Sequence, residues 1–79
     1  MTVNEAFKLR LEQYLFQRQI SLYKFAKDGC IPRSTLTSIM RGYAKSATLA
    51  TLYQVTNALG ITVLEFLDCD LFKEENIDF

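Results

Sequence analysis

Residues 20–42 read ISLYKFAKDGCIPRSTLTSIMRG, and the reading of this stretch decides the fold. The hydroxyl of Ser21 suits it to accept from a free backbone N–H at a helix start, and Leu22, Phe25 and Ala26 then give a short buried stripe before Gly29 supplies an exit. Pro32 has φ fixed near the helical value and no N–H, which suits the first turn of a following helix and no deeper position. Leu36, Ile39 and Met40 form the inward stripe of that next helix, and Gly42 ends it. Only Gly29 to Ile31 separate the two helices, the length of a helix-turn-helix connection rather than of a generic loop. So short a link fixes the angle at which the helices cross.

Outward from this centre, the same signals predict three more helices. Thr2 and Glu5 have the spacing at which each side chain satisfies the other's free backbone N–H, so a helix begins near Asn4. Phe7, Leu11, Tyr14 and Leu15 then fall on one face, until Gln17, Arg18 and Gln19 lose the pattern. Thr48 caps a fourth helix with Leu49, Leu52, Val55, Thr56 and Leu59 facing inward and Gly60 as its stop. Thr62 and Glu65 repeat the reciprocal capping spacing and start a fifth helix through Val63, Leu64, Phe66 and Leu67. With 49% hydrophobic residues, three glycines and one proline in 79 residues, the chain has the apolar content for a single core and too little punctuation for a many-turned β fold. The expected class is all-α: a helical domain over residues 1–68, followed by an acidic tail at 69–79 packed on the core or used as a dimer contact.

The formal net charge is zero, but its distribution is polar. Residues 1–50 carry eight basic and three acidic groups, a balance of +5, and residues 51–79 carry one basic and six acidic, a balance of −5. One pole therefore suits phosphates and the other repels them. Cys30 and Cys69 stand alone, with no CxxC spacing and no histidine to complete a zinc site, and are read as reduced thiols. No basic stretch precedes an apolar block, and no apolar run approaches the roughly 18 residues needed to cross a bilayer, so a cytoplasmic location away from membranes is expected. Catalysis is not expected, since no histidine is available to pair with a cysteine or serine and the acidic pairs Asp68 with Asp70 and Glu74 with Glu75 read as solvated surface. No cofactor, metal or small-molecule ligand is called for.

With Leu36, Ile39 and Met40 turned inward, Arg33, Ser34, Thr37, Ser38 and Arg41 are left as one continuous polar stripe on the opposite face of the third helix. It contains no acidic residue. Its hydroxyls can donate or accept toward base edges, and Arg33 can make two parallel hydrogen bonds to guanine O6 and N7.

The stretch from Ile20 to Lys27, followed by Ile31 to Gly42, resembles the helix-turn-helix of the Cro and phage-repressor family of bacterial regulators. The likeness continues through Thr48, Leu49 and Leu52 to Ala58–Thr62 and Glu65–Leu67, covering residues 7–68. It implies a compact five-helix, lambda-repressor-like domain that binds double-stranded DNA as a homodimer, commonly as a repressor, with residues 32–41 in the major groove. Carried over by position, Arg33, Ser34, Thr37 and Ser38 read bases. Ser21 and Leu22 start the helix whose N–H groups meet a phosphate, while Arg41, Tyr43 and Lys45 lie along the backbone. Three departures stand out. Leu22 replaces a common glutamine, so its contact must come from the backbone. Cys30 occupies a place often held by glycine, with Gly29 one residue earlier. Leu15 and Met40 stand where many relatives pair an arginine with a glutamate, and are expected to pack together instead.

Apolar residues of the last helix and tail, Phe66, Leu71, Phe72, Ile77 and Phe79, are candidate dimer contacts, with completion of the monomer core as the alternative. The other reading of function is a protein-interaction module or DNA-binding antitoxin-type partner of another protein, to which zero net charge and the missing glutamine lend weight.

Overall fold

The computed structural model describes residues 1–42 and 48–78, all of its regular structure helical: α1 (Val3–Arg18), α2 (Leu22–Asp28), α3 (Arg33–Met40), α4 (Leu49–Leu59) and α5 (Val63–Leu67), then two 3₁₀ turns at Asp70–Phe72 and Glu74–Asn76. Four of the five helices start on a hydroxyl. Thr2, Ser21, Thr48 and Thr62 accept from the backbone N–H groups of Glu5, Lys24, Thr51 and Glu65 at 3.1–3.2 Å. The reciprocal bonds from Thr2 N–H and Thr62 N–H to the Glu5 and Glu65 carboxylates complete two capping boxes. Each such cap stabilises its helix by about 1 kcal/mol, and together they fix where the chain may turn. α3 is the exception: Pro32 precedes it with no side-chain cap.

Helix exits follow one pattern. After α1, α2 and α4 a residue adopts the left-handed conformation (Gln19, φ 54°; Cys30, φ 54°; Gly60, φ 74°). Its N–H and the next residue's close two bonds back into the helix: Gln19 to Phe16 and Ile20 to Leu15, Cys30 to Lys27 and Ile31 to Ala26, Gly60 to Asn57 and Ile61 to Thr56. All three left-handed residues are followed by isoleucine, which drops onto the core as the chain reverses.

The tight turn between α2 and α3 is therefore made by Cys30, whereas the sequence assigned the exit to Gly29. Gly29 has an ordinary negative φ of −88° and closes the last turn of α2. What keeps glycine there is space: a Cβ on Gly29 would stand 2.7 Å from the Ala58 Cβ of α4.

The core gathers Phe7, Leu11 and Leu15 of α1, Phe25 and Ala26 of α2, Ile31 of the turn, Leu36 and Ile39 of α3, Leu52, Val55 and Leu59 of α4, and Phe66 of α5. Leu15 lies within this core and Met40 packs against it. Leu49, expected to face inward, is 72% exposed. It sits one turn before Leu52, beyond the edge of the core, at the rim of a groove shared with Val3, Phe7, Leu67 and Phe72.

Two polar side chains lock α1 in place. Arg10 donates from Nε to the Phe66 carbonyl at 2.8 Å and from a terminal nitrogen to the Glu65 carbonyl at 2.9 Å, capping the five-residue α5 across 56 positions of sequence. Buried Asn4 donates from Nδ2 to the Ile39 carbonyl, tying the first turn of α1 to the end of α3. The tail continues this side of the molecule. Phe72 lies on Phe66 with ring centroids 5.9 Å apart, and the Asp78 N–H donates to the Met1 carbonyl at 2.7 Å.

Candidate nucleic-acid interface

The cap at Ser21, the left-handed Cys30 and the buried Ile31 set the path from α2 into α3. Because Leu36 and Ile39 are anchored in the core at 1% and 0% exposure, the opposite face of α3 must point outward. On it, Arg33, Ser34 and Thr37 are exposed, Ser38 is half-buried, and Arg41 is exposed where the helix ends. These five side chains share one surface. The single acidic group in residues 20–42 is Asp28, which lies at 3.7 Å from Lys24 on α2. The outward face of α3 thus keeps its basic character, and no hydrogen bond or ion pair among the described residues ties the tail to it.

At the start of α2, Ser21 is exposed and its hydroxyl is engaged by the Lys24 N–H. The Leu22 side chain is half-buried and packed against the core, which leaves the backbone N–H as the polar group this position can offer. Tyr43 and Lys45 lie outside the described residues.

Of the two roles open to the apolar residues of the last helix and tail, dimer contact or completion of the monomer core, the structure gives Phe66 the second. Phe66 is completely buried: Phe7, Tyr14 and Phe72 stack around it at centroid distances of 5.2, 6.1 and 5.9 Å, so it builds the monomer core and offers no surface to a partner. Leu71, Phe72 and Ile77 are half-buried, and Phe79 lies outside the described residues. The most exposed apolar side chains of α4 and α5 are Leu49, Tyr53 and Leu64, of which only Tyr53 lies off the inward face that hydrophobic periodicity marks.

One neighbour of the α3 stripe was not singled out by the sequence. Tyr23, 56% exposed on α2, lies under Arg33, with the guanidinium carbon 4.8 Å from the ring centroid. The two flank a cleft of about 240 Å³ between α2 and α3, floored by Leu22, Ala26 and Leu36 and bordered by Thr37. A tyrosine two residues into a helix gives no periodic signal that it will stack on an arginine ten positions later.

No single curated protein or solved structure matches the chain. The helix-turn-helix family model matches residues 10–66, from the middle of α1 to the buried Phe66 of α5, and so spans every element that positions the stripe. No helix of the described residues is long and apolar enough to cross a membrane. The capped α2, the four-residue turn and the outward stripe of α3 are thus the parts of a recognised unit, and the chain belongs to the Cro and phage-repressor type of helix-turn-helix family, a family of DNA-binding regulators.

Proposed function

We propose that this protein is a sequence-specific transcriptional repressor of the cytoplasm that reads the major groove with α3. The observation that carries the reading is the outward, acid-free stripe of exposed Arg33, Ser34 and Thr37 with half-buried Ser38 on the helix that follows the turn. Arg33 makes the bidentate contact to guanine, and the three hydroxyls contact neighbouring base edges. The first N–H groups of α2, at Leu22 and Tyr23, meet a phosphate, and Arg41, Tyr43 and Lys45 follow the backbone beyond α3. Residues 1–68 form the DNA-binding unit. Two copies bind half-sites about 34 Å apart, since one module of this size buries limited surface on a duplex. Leu71, Phe72 and Ile77 of the tail, with Phe79, remain the proposed dimer contacts.

The test is selection of bound duplexes from a random library, followed by titration at several salt concentrations. An enriched inverted repeat and a steep fall in affinity with salt are expected, because each neutralised phosphate releases counterions. Arg33→Ala then relaxes selection at one base pair of each half-site, with a loss of about 1–3 kcal/mol. Absence of any retardation of DNA at low salt overturns the reading in favour of a protein partner, for which the exposed Leu49, Tyr53 and Leu64 are the available apolar surface.

A further inference from the structure

We infer that Tyr23 is a specificity-determining residue that acts through Arg33, holding the plane of its guanidinium ready for guanine; the inference rests on the assignment of Arg33 to base reading. Arg33 is the first residue of α3 and is exposed, and among the described residues no carboxylate lies within ion-pair distance of it. An arginine so placed would ordinarily sample many rotamers. Here the Tyr23 ring lies against the guanidinium at 4.8 Å. The chemistry of that contact is selective. A guanidinium held over a ring spends none of its five N–H donors on the contact, so the ring restrains the side chain without consuming a donor. A carboxylate partner would do the reverse, occupying the same edge that must reach O6 and N7.

The surroundings support the assignment. Tyr23 occupies the second position of α2, whose end is fixed by the Ser21 cap. Its neighbours Leu22 and Ala26 line the cleft together with Leu36, so the ring stands on a rigid helix packed against the core rather than on a loop. Ring and guanidinium are carried by the two helices that the Cys30 turn holds at a set angle, and the pair is in place before any duplex arrives. Ordering Arg33 in the free protein removes part of the entropy otherwise lost on binding, and gives the correct base an advantage that a freely rotating arginine cannot.

The experiment compares Tyr23→Phe, Tyr23→Leu, Arg33→Ala and the Tyr23→Leu/Arg33→Ala double variant on duplexes carrying guanine or adenine at the pair whose selection Arg33→Ala relaxes. Tyr23→Leu should reduce the guanine preference about two- to fivefold, the range expected of an exposed cation–π contact. Tyr23→Phe should leave it intact, because the ring and not the hydroxyl does the holding. Adding Tyr23→Leu to Arg33→Ala should change nothing further at that pair. In the free protein, the ring-current shift of the Arg33 side-chain protons should vanish in Tyr23→Leu and persist in Tyr23→Phe. A Tyr23→Leu variant with full guanine preference overturns the inference, as does an equal loss in the Arg33→Ala background or a Tyr23→Phe variant as impaired as Tyr23→Leu. If Arg33→Ala relaxes no base pair at all, the base-reading assignment itself fails and the role of Tyr23 falls with it, an outcome distinct from the other three.

Discussion

Gly29→Ala separates two physical accounts of the same glycine. Its φ of −88° suits alanine, and glycine-to-alanine changes at compatible backbone stabilise by about 0.4–1 kcal/mol through the unfolded chain. Packing argues the other way. The added Cβ would stand 2.7 Å from the Ala58 Cβ, roughly 1 Å inside ordinary carbon contact, and neither atom is the end of a flexible side chain. Either α2 or α4 must move as a body, and overpacking of this kind costs about 1–3 kcal/mol. The clash is the larger effect, leaving a net loss of about 1–2 kcal/mol and a fall in Tm of about 4–16 °C for a domain of this size. Thermal and urea unfolding followed by far-ultraviolet circular dichroism would read it. Ala58→Gly alone should cost up to about 1 kcal/mol, but in the Gly29→Ala background it should restore stability, giving a coupling of about 1–2 kcal/mol. A Gly29→Ala protein as stable as the parent, or strict additivity with Ala58→Gly, refutes the spatial account.

Cys30→Gly should stabilise by about 0.5–1 kcal/mol, since it relieves a left-handed non-glycine residue at φ 54° while adding freedom to the unfolded chain, and a lower urea midpoint would contradict this. Arg10→Met should cost about 1–3 kcal/mol by leaving the Phe66 and Glu65 carbonyls without their charged donor, with amide exchange in α5 accelerating more than in α3. Phe72→Ala should lose about 1–2 kcal/mol, less than a fully buried phenylalanine, as read from the urea midpoint, and should leave the base preference within a half-site unchanged while weakening selection for the paired half-sites.

Much of the fold could be read locally because its signals are local. Thr2 with Glu5 and Thr62 with Glu65 declare helix starts within four residues, and the structure makes both reciprocal caps. The stripe on α3 was legible for the same reason, since Leu36 and Ile39 leave Arg33, Ser34 and Thr37 only one side to occupy. What could not be read depends on partners distant in sequence. The tenancy of Gly29 is decided by Ala58, the orientation of Arg10 by α5, and the exposure of Leu49 by where the core ends. Tyr23 escaped because stacking on Arg33 follows from the crossing of two helices, which periodicity within either one does not encode.

The recurrent exit from α1, α2 and α4 bears on how the molecule reaches its native state. Each stop is written in about six consecutive residues, with its own hydrogen bonds and its own isoleucine anchor, so three reversals of direction can be found before distant parts of the chain meet. The search that remains is mainly the docking of α5 and the tail onto α1, the contacts of greatest sequence separation. A topology this rich in near-neighbour contacts belongs with the rapid folders, on the order of microseconds to milliseconds, and the closure that Arg10 secures carries the loop-closure cost that the local stops do not.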